Sequence, residues 1–455
     1  MDEVFTQAAY QALVQEIFRR FPSVQKDGFL SGAYKPGLEA MQAFDEALGH
    51  PSRAFRSIHV AGTNGKGSVA SMLASACHAA GMRTGLFTSP HLLDFRERAR
   101  VDGEMIPKEY VFSFLSQWMP WITEHKLSFF EITTGLAFKW FADSEVDVAV
   151  VEVGLGGRLD ATNILMPDLA VVTTIGLDHM ALLGDTLGQI AAEKAGIFKA
   201  GVPAVVGESN PETDPVFNDR AWMFCPLTYA DKVRPSLWYR HGTVLRQMDL
   251  LAPVQEKNLR TVLAAIDILK QHAHYQALTS DDAVLQGIIH AARDMHLRGR
   301  WERLSSQPYV VADIGHNAHA LQYNFARLKE LVAQGQFSSI IIVYGIMADK
   351  DLDAILPLMP EDATYIFTAP DTPRALPAGD LLRRYLIWRR AAAIPGPERA
   401  LHAPTAREAV QMAVQLSQSL SRQLSRSASA ENPAPPVIYI GGSTFVVAEA
   451  LPLFA

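Results

Sequence analysis

The sequence predicts an α/β protein of two domains: residues 1–298 built on a mostly parallel sheet, and a smaller Rossmann-like α/β domain over residues 299–455. Three observations predict it. The β-branched run Ile58–Val60 enters a loop holding Gly62, Gly65 and Gly67, and an Ala-rich helical pattern leaves that loop. Apolar runs of strand length then alternate with helical patterns, which is the signature of βα units on a parallel sheet. Finally, Leu297-Arg298-Gly299-Arg300 breaks the pattern before a second set of such runs begins, which marks a hinge.

The first strand, loop and helix read as a P-loop. Three glycines let backbone N–H groups turn toward an anion without a Cβ in the way, and the start of a helix adds its positive end. Lys66 supplies a point charge for the β- and γ-phosphates of ATP, and Ser68 is placed to ligate magnesium. The spacing departs from the common pattern, which has four residues between the first Gly and Gly-Lys and a Ser or Thr directly after the Lys. Here Thr63 and Asn64 alone separate Gly62 from Gly65, and Gly67 stands between Lys66 and Ser68.

At 455 residues the chain suits two or three domains, and 49% hydrophobic with 20% charged residues is the balance of a folded soluble protein. A net charge of -7 with no basic stripe argues against a nucleic-acid partner. Two cysteines give no disulfide framework and point to a reducing cytosol. Residues 1–20 read as an amphipathic helix and not a signal peptide. No apolar run approaches the roughly 18–20 residues that span a bilayer. The expectation is a cytoplasmic monomer without a membrane partner.

Taken in order, a helix is predicted from the Tyr34-Lys35-Pro36-Gly37 turn to about Leu48, then the P-loop unit. Gly81 ends the loop helix, and residues 84–88 form the next strand, which empties into Ser89-Pro90-His91. Helices follow over 108–126 and 130–143; their aromatics (Tyr110, Phe112, Trp118, Trp121, Phe138, Trp140, Phe141) sit at core spacing. Residues 146–153 are a strand carrying Glu152 near its end, where an acid reaches magnesium. Residues 169–174 lead to Gly176-Leu177-Asp178-His179. A helix spans 187–198, a strand 202–206, short mixed strands fill 224–251, and Asn258 opens a helix to Leu269. Beyond the hinge, 309–313, 340–344, 364–367 and 437–440 are strands. Between 411 and 436 a Ser-, Gln-, Arg- and Pro-rich composition reads as a helix end and a mobile loop.

Ser68, Ser89, Glu152 and His179 thus gather at one sheet edge, the place where open parallel sheets bind ligands, as a donor set for magnesium. Lys194 in Ala-Glu-Lys-Ala-Gly reads by default as a solvated helix lysine. Asp313, His316, Asn317 and His319 follow a strand of the second domain. They read equally as a helix cap or as a contribution to the phosphoryl group.

Together these residues resemble the folylpolyglutamate synthase and dihydrofolate synthase family, within the Mur ligase-like amide-forming enzymes. The resemblance covers nearly the whole chain. It rests on Gly62-Thr63-Asn64-Gly65-Lys66-Gly67-Ser68, Thr88-Ser89-Pro90-His91-Leu92, Phe130-Glu131, the run from Glu152 to Asn163, Leu177-Asp178-His179, Glu193-Lys194-Ala195-Gly196-Ile197, Arg298-Gly299-Arg300, Asp313-Ile314-Gly315-His316-Asn317, Asp349-Lys350-Asp351 and Gly442-Ser443. Two places depart from the family pattern: Pro253-Val254-Gln255, and Gly315 in place of Ala.

The resemblance implies that Gly62 to Ser68, Asn258, Arg300 and Asp313 bind ATP. Ser68, Ser89, Glu152, His179 and Lys194 would serve two magnesium ions, with Lys194 carbamylated by carbon dioxide. Lys66, Lys194 and His316 would be catalytic. Phe130, Glu131, Leu159, Asp160 and Ala161 would line a pterin or folate pocket. The implied reaction joins L-glutamate to dihydropteroate, to the tail of reduced folates, or to both, through an acyl phosphate; the Leu159-Asp160-Ala161 segment favours both. A cell-wall Mur ligase would carry a separate N-terminal domain, for which fewer than sixty residues precede the loop. A synthase acting on folate tails alone would turn over tetrahydrofolate and not dihydropteroate. A silent nucleotide-binding protein would release no ADP with any pterin and glutamate.

Overall fold

The computed structural model describes residues 4–23, 37–395, 399–427 and 434–454. The chain divides into two compact units, Met1–Leu250 with Val254–Leu297, and Arg298–Ala455 with Leu251–Pro253.

The first unit is built on strands β1 (Arg56–Ala61), β2 (Thr84–Phe87), β3 (Ala99–Val101), β4 (Glu104–Met105), β5 (Val148–Glu152), β6 (Leu169–Val172), β7 (Ala204–Val206) and β8 (Leu227–Tyr229). They form one sheet in the order β4-β3-β2-β5-β1-β6-β7-β8. Pairings from β2 to β8 are parallel, while β3 and β4 add an antiparallel edge. The central strands are buried along their length, so they read as continuous apolar runs. Their two-residue period assigns the side chains to opposite faces. Val148 and Val150 belong to one core with Ile58 and Val60, whereas Ala149 and Val151 belong to an aromatic core on the other face.

Helix α1 (Gln7–Arg20), α2 (Lys66–Ala79), α3 (Lys108–Glu124), α4 (Phe129–Asp143), α5 (Leu187–Ala195), α6 (Gln255–Leu269) and α7 (Asp281–Ile289) cover the sheet. The aromatics of α3 and α4 are core residues: Phe112, Phe138, Trp140 and Phe141 are buried, with Tyr110, Trp118 and Trp121 packed partly buried against them. Helix α2 is buried continuously from Gly67 to Cys77. Its Ala and Ser side chains let α7 approach so closely that a Cβ on Gly287 would collide with the Ser75 carbonyl.

In the second unit, β9 (Glu302–Ser306), β10 (Tyr309–Ala312), β11 (Ile340–Tyr344), β12 (Thr364–Phe367), β13 (Ala400–His402) and β14 (Val437–Gly441) form a sheet ordered β13-β12-β11-β14-β10-β9. All pairs are parallel except β9 with β10.

Several expectations need correction. Residues 224–251 hold one short strand, β8, followed by a 3-10 turn and the helix His241–Gln247, because Val244 and its neighbours pack into the α2 core. Helix α6 starts at Gln255, so Asn258 lies inside its first turn. Helix α5 stops at Ala195, three residues short of Phe198. The Ser- and Gln-rich segment is helical to Ser427, as the end of α9 (Ala406–Ser427), after α8 (Ala318–Ala333). One face of α9, with Ala406, Ala409, Val410, Ala413 and Ser417, is buried. Residues 428–433 lie outside the described residues, as do Tyr34, Lys35 and Pro36, and the helix after them is Glu39–Ala47.

Candidate functional site

The site begins where β1 ends. Gly62 and Gly65 have φ of +148° and +85°, backbone that side chains rarely adopt. A Cβ on Gly65 would stand 2.5 Å from Asn258 Oδ1, so the glycine leaves room for both the turn and that side chain. The loop is tied to the chain leaving β6: the Thr63 N–H donates to the Thr174 carbonyl at 2.8 Å, Thr173 Oγ1 donates to the Asn64 carbonyl at 2.6 Å, and the Gly176 N–H donates to Thr63 Oγ1 at 3.0 Å. Helix α2 starts at Lys66, and its first full turn closes with the Val69 N–H on the Gly65 carbonyl at 2.9 Å. The N–H groups of Lys66, Gly67 and Ser68 precede that bond and have no carbonyl one turn earlier, so they form an anion cradle at a helix start.

Two lysines converge on one oxygen there. Lys66 Nζ donates to the Gly62 carbonyl at 3.1 Å, and Lys194 Nζ, from α5, donates to the same carbonyl at 3.0 Å. Lys194 is only 4% exposed, which corrects the expectation of a solvated helix lysine. Burial, and then the charge of Lys66, lower its pKa from 10.5 to about 7, against the opposing pull of Asp178, Asp160 and Glu193.

Glu152 ends β5, is paired in register with Val60 of β1, and is buried. Its Oε2 accepts the Ser89 N–H at 3.1 Å, which places the chain after β2 beside it. Ser68 is buried in the first turn of α2. His179 follows Gly176 by three residues, in a left-handed conformation with φ +54°, and its N–H donates to Asp178 Oδ1 at 2.9 Å. Among the described residues no three His, Cys, Asp or Glu side chains form a metal-holding group. Any ion here would be held by the mixed hydroxyl and carboxylate set together with oxygens of a ligand.

Asn258 and Gln255 share the site from α6. Asn258 Nδ2 donates to Gln255 Oε1 at 2.9 Å, and Gln255 Nε2 donates to Ser68 Oγ at 3.4 Å. Gln255 was not singled out as a site residue from sequence; its only signal was its place one turn before Asn258. Thr173 and Thr174 were also missed, although their position directly after β6 marks the edge that meets the loop.

The five residues expected in a pterin pocket divide into two groups. Phe130 packs against Gly154, where a Cβ would collide with its ring. Leu159 and Ala161 stand in the same segment between β5 and β6. Glu131 and Asp160 are instead occupied by their own backbone. Glu131 closes a capping box, accepting the Ser128 N–H at 2.6 Å. Asp160 accepts the N–H groups of Leu155 at 2.9 Å and Thr162 at 3.0 Å, while burial pushes its pKa up.

In the second unit, Asp313 follows β10 and is buried. Its carboxylate accepts from the Trp301 N–H at 2.8 Å, the Gly315 N–H at 2.8 Å and Asn324 Nδ2 at 2.7 Å. Burial raises its pKa against those hydrogen bonds and the Arg300 charge. His316 Nδ1 lies 3.1 Å from the Ile314 carbonyl, which places a proton on Nδ1. Asn317 caps α8, its side chain accepting the Ala320 N–H at 2.9 Å.

Residues 60–220 match the Mur ligase middle domain, and residues 299–421 the Mur ligase glutamate ligase domain. A Bacillus subtilis dihydrofolate synthase/folylpolyglutamate synthase is 34% identical over 378 residues, covering 78% of this chain and 86% of that protein. The chain spans 42% of the length of a Haloferax volcanii probable bifunctional folylpolyglutamate synthase/dihydropteroate synthase, at 34% identity over 361 residues that cover 75% of this chain. The Mycobacterium tuberculosis folylpolyglutamate synthase complexed with ADP superposes with a TM-score of 0.79 and 28% identity, over 98% of each chain. The Yersinia pestis bifunctional folylpolyglutamate synthase/dihydrofolate synthase complexed with AMPPNP and Mn gives a TM-score of 0.77 and 28% identity, over 99% of each chain. The protein therefore belongs to the folylpolyglutamate synthase/dihydrofolate synthase family of Mur ligases, and is an ATP-dependent ligase that forms amide bonds.

Proposed function

We propose that this enzyme joins L-glutamate both to dihydropteroate and to the glutamate tail of reduced folates. The observation that carries the reading is the meeting of Lys66 and Lys194 on the Gly62 carbonyl at the start of α2, with Ser68 one turn into that helix. That arrangement suits an ATP γ-phosphate aimed at a carboxylate.

A carboxylate is a poor electrophile, so its oxygen must become a leaving group. The carboxylate oxygen attacks the γ-phosphorus and the bond to the β-phosphate oxygen breaks, giving an acyl phosphate and ADP. The glutamate amine then attacks the acyl carbon, loses a proton, and inorganic phosphate departs. The loop N–H groups and Lys66 stabilise charge on the phosphates. Ser68, Ser89, Glu152 and His179 offer the oxygen and imidazole donors that suit magnesium, and two such ions would neutralise phosphate and carboxylate charge. Lys194 supports a further step in assembly. An amine titrating near neutrality has an available lone pair, and its addition to carbon dioxide yields a carbamate whose oxygens extend the donor set. Phe130, Leu159 and Ala161 are proposed to face the pterin, with Glu131 and Asp160 holding the segments that carry them. Asn258, Arg300 and Asp313 are proposed to serve the nucleotide and His316 the phosphoryl group, by resemblance to the family.

The test is ADP release with glutamate and either dihydropteroate or tetrahydrofolate. Both acceptors should support turnover, and Lys66→Ala or Glu152→Ala should cut kcat by about 100-fold or more without unfolding the protein. Unchanged turnover in either variant overturns the site assignment. Turnover with tetrahydrofolate alone restricts the enzyme to tail extension.

A further inference from the structure

The loop between β2 and β3 carries Ser89, and it is held shut from within. The Thr88 N–H donates to the Arg98 carbonyl at 3.0 Å. Inside the loop, the Glu97 carboxylate accepts the N–H groups of Leu92, Leu93 and Asp94 at 2.7, 2.9 and 2.9 Å. At its end stands Arg98, 4% exposed. A guanidinium taken so far out of water is costly unless its surroundings compensate it.

Three partners do so. Arg98 Nε donates to His91 Nδ1 at 2.9 Å, and its Cζ lies 5.1 Å from the centre of the Phe129 ring. The acid whose charge acts on it most strongly is Glu152. Because His91 Nδ1 is the acceptor, the ring carries its proton on Nε2 and is neutral. The imidazole is fixed in turn against Phe18 and Phe95, with ring centres at 5.5 and 6.3 Å. Phe18 belongs to α1, so the first helix of the chain buttresses this loop. Glu152 is as buried as Arg98 and accepts the Ser89 N–H at 3.1 Å.

We propose that Arg98 is a positioning residue which, pinned by His91 and Phe129, holds Glu152 and through it Ser89 in the arrangement that receives a divalent ion. This rests on Glu152 and Ser89 being ion ligands, as proposed above. Two roles for Arg98 have opposite signs. If it merely offset the Glu152 charge, it would compete with a metal ion, and removing it would tighten binding. If it sets the orientation of the carboxylate, removing it weakens binding.

The test titrates Mn2+ into the full chain with AMPPNP present, following free Mn2+ by electron paramagnetic resonance. Arg98→Met should weaken Mn2+ binding about 10-fold or more, as losses behind a metal ligand do, and Arg98→Lys should recover part of it. His91→Phe keeps an aromatic ring against Phe18 and Phe95 but removes the acceptor. It should weaken binding about 3- to 10-fold with little change in melting temperature, which decides the matter if Arg98→Met does not fold. In turnover, the half-saturating Mg2+ concentration should rise more than kcat falls. Unchanged or tighter Mn2+ binding in His91→Phe and in folded Arg98→Met overturns the proposal. Glu152→Gln separates the two layers. If it binds Mn2+ as the parent does, the ion-ligand reading itself falls; if only Glu152→Gln loses Mn2+, the positioning role alone falls.

Discussion

Lys194 is an amine placed where an ammonium is disfavoured: buried, and sharing the Gly62 carbonyl with Lys66. Its folded pKa, about 7, lies below the ordinary 10.5, so between those values the unfolded chain binds more protons than the folded one. Stability from this group therefore rises with pH across that window and is lowest below it. Lys194→Met should then stabilise the metal-free protein near pH 6.5, by on the order of 1–3 kcal/mol, and the gain should shrink toward pH 10; urea titrations at the two pH values check this. For activity, the carbamate reading predicts loss in buffer stripped of carbon dioxide and recovery on adding bicarbonate. Lys194→Ala should be inactive and partly rescued by acetate, and full unrescued activity removes the lysine from the chemistry. Sequence spacing could not reveal any of this, because a helix lysine in Glu193-Lys194-Ala195 is ordinarily solvated, and only tertiary burial changes its character. Glu131 and Asp160 teach the converse, since motif membership does not distinguish an acid that meets a ligand from one that ties down its own turn.

Helix α2 and the loop ahead of it are where local sequence and tertiary packing agree most closely. The strand-loop-helix order, the strands with continuous apolar runs, and the aromatic stripes of α3 and α4 were all legible, because period and burial select the same residues. The helix α9 was legible only at its start. Its later turns are Ser- and Gln-rich, and a narrow buried face ending at Ser417 sustains it. Two glycine substitutions test the element scale. Gly65→Ala places a Cβ against Asn258 in a left-handed turn, and should weaken ATP binding by about 10-fold or more, measured by calorimetry, since 1.4 kcal/mol of strain is already tenfold. Gly287→Val forces α7 away from Ser75 of α2 and should cost about 1–3 kcal/mol in denaturant unfolding, with nucleotide affinity reduced only secondarily.

At the scale of the molecule, two units each bury a sheet of their own. Multi-domain chains of this kind do not owe one stability to one transition. Tyr365→Ala, in the middle of β12, should lower the melting of the second unit by several degrees, resolved by hydrogen exchange of β11 and β12 against β1 and β5; equal loss of protection in both sheets would show a single cooperative body. The division after Leu297 was legible from Gly299 and its arginines, whereas the assignment of Leu251–Pro253 to the second unit was not, since three residues carry no pattern. At the site, the strand-end residues were legible as a set and their mutual contacts were not. The meeting of two cations on the Gly62 carbonyl has a practical consequence. Whatever converts Lys194 to an anion leaves that oxygen to Lys66 and turns a mutual repulsion into an attraction across the mouth of the loop. A dissolved gas thereby becomes a primer of the catalyst, and a preparation dialysed into degassed acidic buffer would be taken for dead protein when it is only unprimed.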